Sequence, residues 1–84
     1  MTTLSRDETI ALVGIEAIEA LETTCVAEPS GNYDEENDLL FIARLDLGDY
    51  KSIYAHYWQS RKDIEGCDSL DMLTWVPAYY KYFD

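Results

Sequence analysis

Carboxylates are the side chains of this 84-residue chain that are best placed to do chemistry, and they form two clusters. The first cluster contains three glutamates spaced three residues apart: Glu16, Glu19 and Glu22. The second, here called the acidic segment, lies in the stretch NYDEENDLL and contains Asp34, Glu35, Glu36 and Asp38. Such groups can bind a cation, work as an acid–base pair on a sugar, or attract a basic macromolecule.

The spacing of these residues argues against a metal site. Asp34, Glu36 and Asp38 alternate as in a calcium-binding loop, but Leu39 follows where that loop needs glycine, and no glutamate stands at the twelfth position. Cys25 and Cys67 lie outside any Cys-x-x-Cys or Cys/His ligand spacing, and we expect both thiols to be reduced. A disulfide between them is the alternative, because the length of the loop alone does not forbid its closure. The sequence therefore predicts no metal and no cofactor.

Catalysis is also not indicated by the sequence. With 17 acidic residues, any chosen pair of carboxylates is uninformative as a glycosidase-like pair. The single histidine, His56, falls on the polar side of its predicted helix and is expected to be solvated. The four glycines are isolated, so the chain has no glycine-rich phosphate loop. We predict a protein that is not an enzyme.

Charge and aromatic residues are distributed unevenly along the chain. Residues 1–50 hold twelve acids against Arg6 and Arg44, whereas residues 51–84 hold five acids against four bases, which together give the net charge of -11. Nine of the eleven aromatic residues lie from Tyr50 onward. Such asymmetry indicates something about binding partners rather than about the fold.

The first cluster is expected on a helix over residues 4–22. Ser5 followed by Glu8 has the spacing of a capping box, and the apolar residues recur with helical periodicity. Glu16, Glu19 and Glu22 would then share an outward face with no lysine or arginine four residues on.

The acidic segment is expected in the loop of a hairpin between strands 23–28 and 39–47. Residues 50–65 follow helical periodicity, with Asp49 as N-cap and Gly66 after the last turn, although Gly48-Asp49 could instead form a hairpin turn. A last helical segment, LDMLTWV, precedes Pro77. The predicted fold class is α+β, one domain over 1–84 in the order α-β-β-α-α, with a short antiparallel hairpin packed by helices; an all-α bundle is the alternative.

These patterns favour a small acidic interaction protein. Twelve carboxylates on a body about 25 Å long would carry the charge that about six base pairs of duplex DNA present over about 20 Å. The chain resembles, in size and charge, the phage- or plasmid-encoded DNA mimics that inhibit restriction or CRISPR nucleases. The expected partner is a basic nucleic-acid-binding protein, met in the cytoplasm, with no direct binding to nucleic acid or membrane.

Two other functions remain open at this point. An immunity or antitoxin protein that blocks a basic nuclease toxin would use the same charge with a more localised aromatic anchor. An adaptor or oligomerisation module, a homodimer included, would instead be held by the aromatic residues at the end of the chain: Tyr79, Tyr80, Tyr82 and Phe83.

Overall fold

The computed structural model describes residues 3–33 and 38–84, and it confirms the α+β fold class. Three helices and four strands occur in the order α-α-β-β-β-α-β, which roughly matches the predicted order. The helices are α1 (Arg6–Val13), α2 (Ile15–Thr24) and α3 (Arg61–Glu65). The strands are β1 (Glu28–Tyr33), β2 (Asp38–Gly48), β3 (Lys51–Ser60) and β4 (Tyr79–Phe83), and a short 3₁₀ turn spans Leu70–Met72.

The predicted helix over residues 4–22 is divided at Gly14. The capping box at its start is confirmed, because Ser5 accepts from the Glu8 backbone N–H at 3.1 Å and Glu8 accepts from that of Ser5 at 3.0 Å. Gly14 has a φ of 94°, a conformation that glycine adopts without strain and that ends α1 before α2 begins. The single residue between the helices lets α2 fold back against α1.

The strand predicted over 23–28 was placed too early in the chain. Thr23 and Thr24 are the last residues of α2, where their hydroxyls donate to the backbone oxygens of Glu19 and Ala20 at 2.6 Å. This back-bonding satisfies threonine within a helix in spite of its strand preference. The hairpin itself is present, because β1 pairs antiparallel with β2.

The helix predicted over residues 50–65 was wrong for most of its length. Gly48, Asp49 and Tyr50 all have positive φ and form the tight turn between β2 and β3, so Asp49 is not a helix cap. β3 then pairs with β2 along almost its whole length, and these ladder bonds together with its aromatic and β-branched residues outweigh the helical periodicity. Only α3 is helical; Ser60 caps its start, and it ends before Gly66 as predicted.

The last predicted helix was also wrong. Of LDMLTWV, only the first three residues, Leu70–Met72, form a 3₁₀ turn, and the residues after Pro77 form β4. The sheet order is β1-β2-β3-β4, so β4 is an edge strand. Leu4 bonds to Tyr80 on the outer side of β4, through backbone hydrogen bonds of 2.8 and 2.9 Å.

The two faces of the sheet have different surroundings. Ile18 and Leu21 of α2 pack on one face, and the buried cluster there continues through Phe41, Ala43, Ile53, Ala55, Tyr57 and Tyr80. Ile10 of α1, Ile64 of α3 and Trp75 pack against the same cluster, so all the described helices contribute to this side. The opposite side, here called the open face, carries the alternate residues: Leu40, Ile42, Arg44, Tyr54, His56, Trp58, Tyr79, Lys81 and Phe83.

Candidate interaction surfaces

Four exposed carboxylates lie on the two N-terminal helices. They are here called the acidic helical layer: Asp7 and Glu8 on α1, and Glu16 and Glu19 on α2. Hydrogen bonds from Ser5 lower the pKa of Glu8, which therefore stays ionised. Arg6 is the one base within the ranges of α1 and α2.

Glu22, predicted to share this surface, makes internal contacts instead. Its carboxylate accepts from Arg6 Nη2 at 2.9 Å and from Arg6 Nε at 3.1 Å. The Tyr80 hydroxyl donates to the other carboxylate oxygen at 3.1 Å. Glu22 thus joins the start of α1 to β4, and the Glu16–Glu19–Glu22 cluster is reduced to two free members.

The sequence did not indicate this contact, which changes the pKa values of two buried tyrosine side chains. Burial, with the nearby Glu22 charge, raises the pKa values of Tyr80 and Tyr57. Hydrogen bonding to Glu22 raises the pKa of Arg6 in turn. Gly14 was the available signal, because a break there brings Arg6 and Glu22 together across a helical hairpin.

Most of the acidic segment, Asp34, Glu35 and Glu36, lies outside the described residues. Asp38 is half-buried at the start of β2, where it pairs in register with Ser60. Within residues 3–33 and 38–84, no three His, Cys, Asp or Glu side chains lie where they could hold a metal ion together.

The remaining carboxylates of the first fifty residues lie away from the acidic helical layer. Asp46 forms an exposed ion pair of 2.7 Å with Arg44, and Asp49 lies in the turn between β2 and β3. Glu28 is exposed at the start of β1, next to Ile42 in the sheet register. Among the described residues of the first half, the exposed carboxylates are thus divided: four lie on the helices, and Glu28, Asp46 and Asp49 lie on the strands and the turn.

The overall dimensions also revise the charge density. The molecule extends over 39 × 25 × 21 Å, longer than the body inferred from one helix. Its net charge of -11 along the 39 Å axis corresponds to about 3.5 Å per charge. A DNA duplex carries one phosphate per about 1.7 Å and a single strand one per about 3.4 Å. The charges of this protein lie on several sides, so the average describes the whole body and not the density of one binding surface.

Comparison with known proteins gives no further guide to these surfaces. The chain matches no protein-family model, no curated protein and no solved structure. Among the described residues, no helix combines the length and apolar character needed to cross a membrane.

The aromatic residues at the end of the chain do not form one surface. Strand alternation places Tyr80 and Tyr82 on the side of the helices, where Tyr80 is 1% exposed and belongs to the core. Tyr79 and Phe83 lie on the open face. The structure therefore divides the predicted cluster into two residues that pack inward and two that face outward.

The open face collects further aromatic residues that the sequence analysis assigned to a helix. Trp58 is 40% exposed and Phe83 is 37% exposed, which are large fractions for such side chains. Phe83 packs edge-on against Tyr54 at 5.0 Å between ring centroids, and Arg44 lies over the Tyr54 ring at 5.8 Å. Arg44, Tyr54 and Lys81 form one cross-strand row, so the face carries cations among its aromatic residues.

His56 is buried on this face, contrary to the expectation that it is solvated. It is 5% exposed and stacks on Tyr79 with 4.3 Å between ring centroids. Its Nδ1 atom is buried without a hydrogen-bond partner among the described residues. Burial and the nearby Lys81 charge lower its pKa, so the imidazole is neutral near pH 7.

A cleft of 290 Å³ lies between the end of α2 and the chain before β4. Its walls include Glu22, Cys25, Tyr57, Asp71 and Trp75. The Glu22 carboxylate is already bonded to Arg6 and Tyr80, and Cys25 is a free thiol, as is Cys67. The exposed carboxylates of the helices and the open face are the stronger candidates for binding.

Proposed function

We propose that the protein is a small acidic interaction protein that occupies the nucleic-acid-binding groove of a basic protein. The observation that carries this proposal is the acidic helical layer, whose four exposed carboxylates lie on adjoining helices. The one base on these helices, Arg6, is already bonded to Glu22. The layer therefore presents negative charge to a partner without a base of its own to offset it.

The mechanism is competition for cationic side chains. Lysine and arginine residues that hold phosphates in the partner's groove would pair with Glu16, Glu19 and their neighbours on α1, and nucleic acid would be excluded. The net charge of -11 steers the encounter at long range, and salt weakens it. The two proteins would meet in the cytoplasm.

Charge neutralisation on the helices tests the proposal. The immobilised chain is used to capture basic proteins from a bacterial lysate, and a duplex DNA oligonucleotide is then added as competitor. The proposal expects DNA to release the captured protein. It also expects the Glu16→Gln/Glu19→Gln variant to bind about three- to tenfold more weakly, since each exposed ion pair is worth up to about 1 kcal/mol.

A matched control separates local charge from total charge. Glu65 and Asp68 are exposed carboxylates outside the two N-terminal helices. The Glu65→Gln/Asp68→Asn variant removes as many negative charges as Glu16→Gln/Glu19→Gln does. This control should bind nearly as well as the unmodified chain. Equal weakening by both variants, or captured proteins that DNA does not release, would contradict groove mimicry.

The exposed Trp58 favours an immunity protein that blocks a nuclease toxin as the second candidate function. Such a protein would use Trp58 as an apolar anchor within an otherwise electrostatic interface. Its binding would keep much of its affinity at high salt, whereas distributed phosphate mimicry would lose most of it. Salt resistance that disappears in a Trp58→Ser variant would favour this candidate.

A further inference from the structure

The cleft between the end of α2 and the chain before β4 is too small for a folded partner but large enough for a small group. Its volume of 290 Å³ is close to the lower limit of about 300 Å³ for ligand pockets. Its lining comes from the last turn of α2 and the residues that follow it, from Tyr57 of β3, and from Asp71 and Trp75 before β4. A ligand of this size is a single side chain or a small molecule.

Tyr57 leaves a hydrogen-bonding group unused at this cleft. It is 4% exposed, its ring packs edge-on against Trp75 with 5.6 Å between centroids, and its hydroxyl forms no hydrogen bond with any described residue. Burial, with the nearby Glu22 charge, raises its pKa, so the hydroxyl keeps its proton near pH 7. Buried polar groups in proteins are nearly always paired. The partner of this hydroxyl therefore has to come from the cleft, as water or as a ligand.

The charge around this hydroxyl favours a cation over water. Asp71 is exposed, and its carboxylate forms no hydrogen bond or ion pair with any described residue. The last turn of α2 lies at the cleft, and its carbonyl oxygens carry the negative end of the helix dipole. None of the described residues that line the cleft is Lys, Arg or His. Water can satisfy the Tyr57 hydroxyl, but it adds no charge to offset these groups.

The positions of the lining groups favour an organic cation over a metal ion. Glu22, Cys25 and Asp71 all line the cleft, yet among the described residues no three such groups lie where they could hold a metal ion together. Val26, which is 80% exposed, and Trp75 add apolar surface to the lining. An alkyl chain can pack against such surface while a guanidinium or ammonium group at its end donates several hydrogen bonds.

We propose that the cleft binds an organic cation, a guanidinium or ammonium group on an alkyl chain. The charged group would donate to the Tyr57 hydroxyl oxygen, Asp71 would offset its charge, and the chain would pack against Val26 and Trp75. Two sources have this chemistry: an arginine or lysine side chain of the basic partner, and a free amine such as a polyamine. The first source rests on the function proposed above, whereas the second is independent of it.

Butylguanidinium is the probe that tests this proposal, and butylurea, its uncharged isostere, is the matched control ligand. Binding is followed by amide NMR of the isotope-labelled full chain. The method shows where the probe lies, which matters because a protein of net charge -11 attracts cations at many places. The expected result is saturable shifts at residues 22–27 and 71–75 with a millimolar dissociation constant, and no such shifts with butylurea.

Substitutions in the cleft measure the contribution of each group. Tyr57→Phe should weaken butylguanidinium binding about tenfold, because it removes the acceptor and keeps the ring. The hydroxyl has no partner among the described residues, so this variant should resist urea at least as well as the unmodified chain. Asp71→Asn should weaken binding about threefold. Asp68→Asn is the matched control, because Asp68 is an exposed carboxylate that does not line the cleft.

The same variants identify the source of the cation. If Tyr57→Phe and Asp71→Asn also weaken capture of the basic partner, the cleft takes up a side chain of that protein. If they leave capture unchanged and weaken only butylguanidinium binding, the cleft takes up a free cation, and groove mimicry is judged by Glu16→Gln/Glu19→Gln alone. The proposal would be overturned by an absence of saturable shifts at the cleft or by equal binding of butylurea. A folded Tyr57→Phe variant that binds butylguanidinium as tightly as the unmodified chain would overturn it as well.

Discussion

The hydrogen bond from Tyr80 to Glu22 gives the sharpest prediction about the stability of this fold. The Tyr80 side chain is 1% exposed, and its hydroxyl donates to a Glu22 carboxylate oxygen at 3.1 Å. Tyr80→Phe removes that oxygen and keeps the aromatic ring in the core. We expect the variant to fold and to be less stable.

The size of the effect follows from what remains around the carboxylate. A hydrogen bond to a charged group contributes about 1.5–3 kcal/mol. Arg6 would still pair with Glu22 after the substitution, so the carboxylate would not be left without a partner. We therefore expect a loss near the lower limit, about 1.5 kcal/mol, or roughly 6–12 °C in melting temperature for a chain of this size.

Urea unfolding followed by tryptophan fluorescence measures this difference. Tyr82→Phe is the control, because Tyr82 is a neighbouring half-buried residue of β4 whose hydroxyl shows no hydrogen bond to any described residue. It should change the free energy of unfolding by less than about 0.5 kcal/mol. If Tyr80→Phe were as stable as this control, the proposed link between α2 and β4 would be refuted.

Two further predictions concern the histidine and the helix break. Burial and Lys81 lower the pKa of His56 in the folded protein. As the pH falls, His56 is therefore protonated in the unfolded chain before it is protonated in the folded protein, so the free energy of unfolding should be constant above about pH 6.5 and decrease below it. Melting temperatures at about pH 7.5 and about pH 5.5 test this, and His56→Phe should remove that part of the difference. Gly14→Ala should cost about 1–3 kcal/mol in urea unfolding, since φ 94° and ψ 155° lie in a region that is essentially restricted to glycine and an added Cβ meets no atom within 4 Å, which leaves backbone strain as the cause. A Gly14→Ala variant with the same urea midpoint as the unmodified chain would contradict that backbone conformation.

The parts of the fold that could be predicted from sequence are those set by local signals. The Ser5–Glu8 capping box identified the first helix, the alternation of residues 39–47 identified β2, and Gly66 marked the end of α3. The region from Asp49 to Ile64 could not be assigned in this way. Its aromatic residues fit both a helical arc and an alternating strand, and the pairing of β3 with β2, a tertiary interaction, decides between them.

The candidate surfaces depended on the same tertiary information. Glu16 and Glu19 are exposed, as their helical spacing indicated, but the loss of Glu22 to Arg6 and Tyr80 required the helices to fold back at Gly14. The open face could not be recognised while Trp58 was assigned to a helix. Alternation in β4 then separated Tyr79 from Tyr80, two residues that a count of aromatic side chains had grouped together.

The most direct test of the proposed function is the affinity for a captured, DNA-releasable partner, measured by isothermal titration calorimetry at low and high sodium chloride. Groove mimicry predicts that affinity falls steeply with salt, and that Glu16→Gln/Glu19→Gln reduces both the affinity at low salt and the steepness of that fall. An affinity that is insensitive to salt, or one that these two substitutions leave unchanged, would contradict the role proposed for the acidic helical layer.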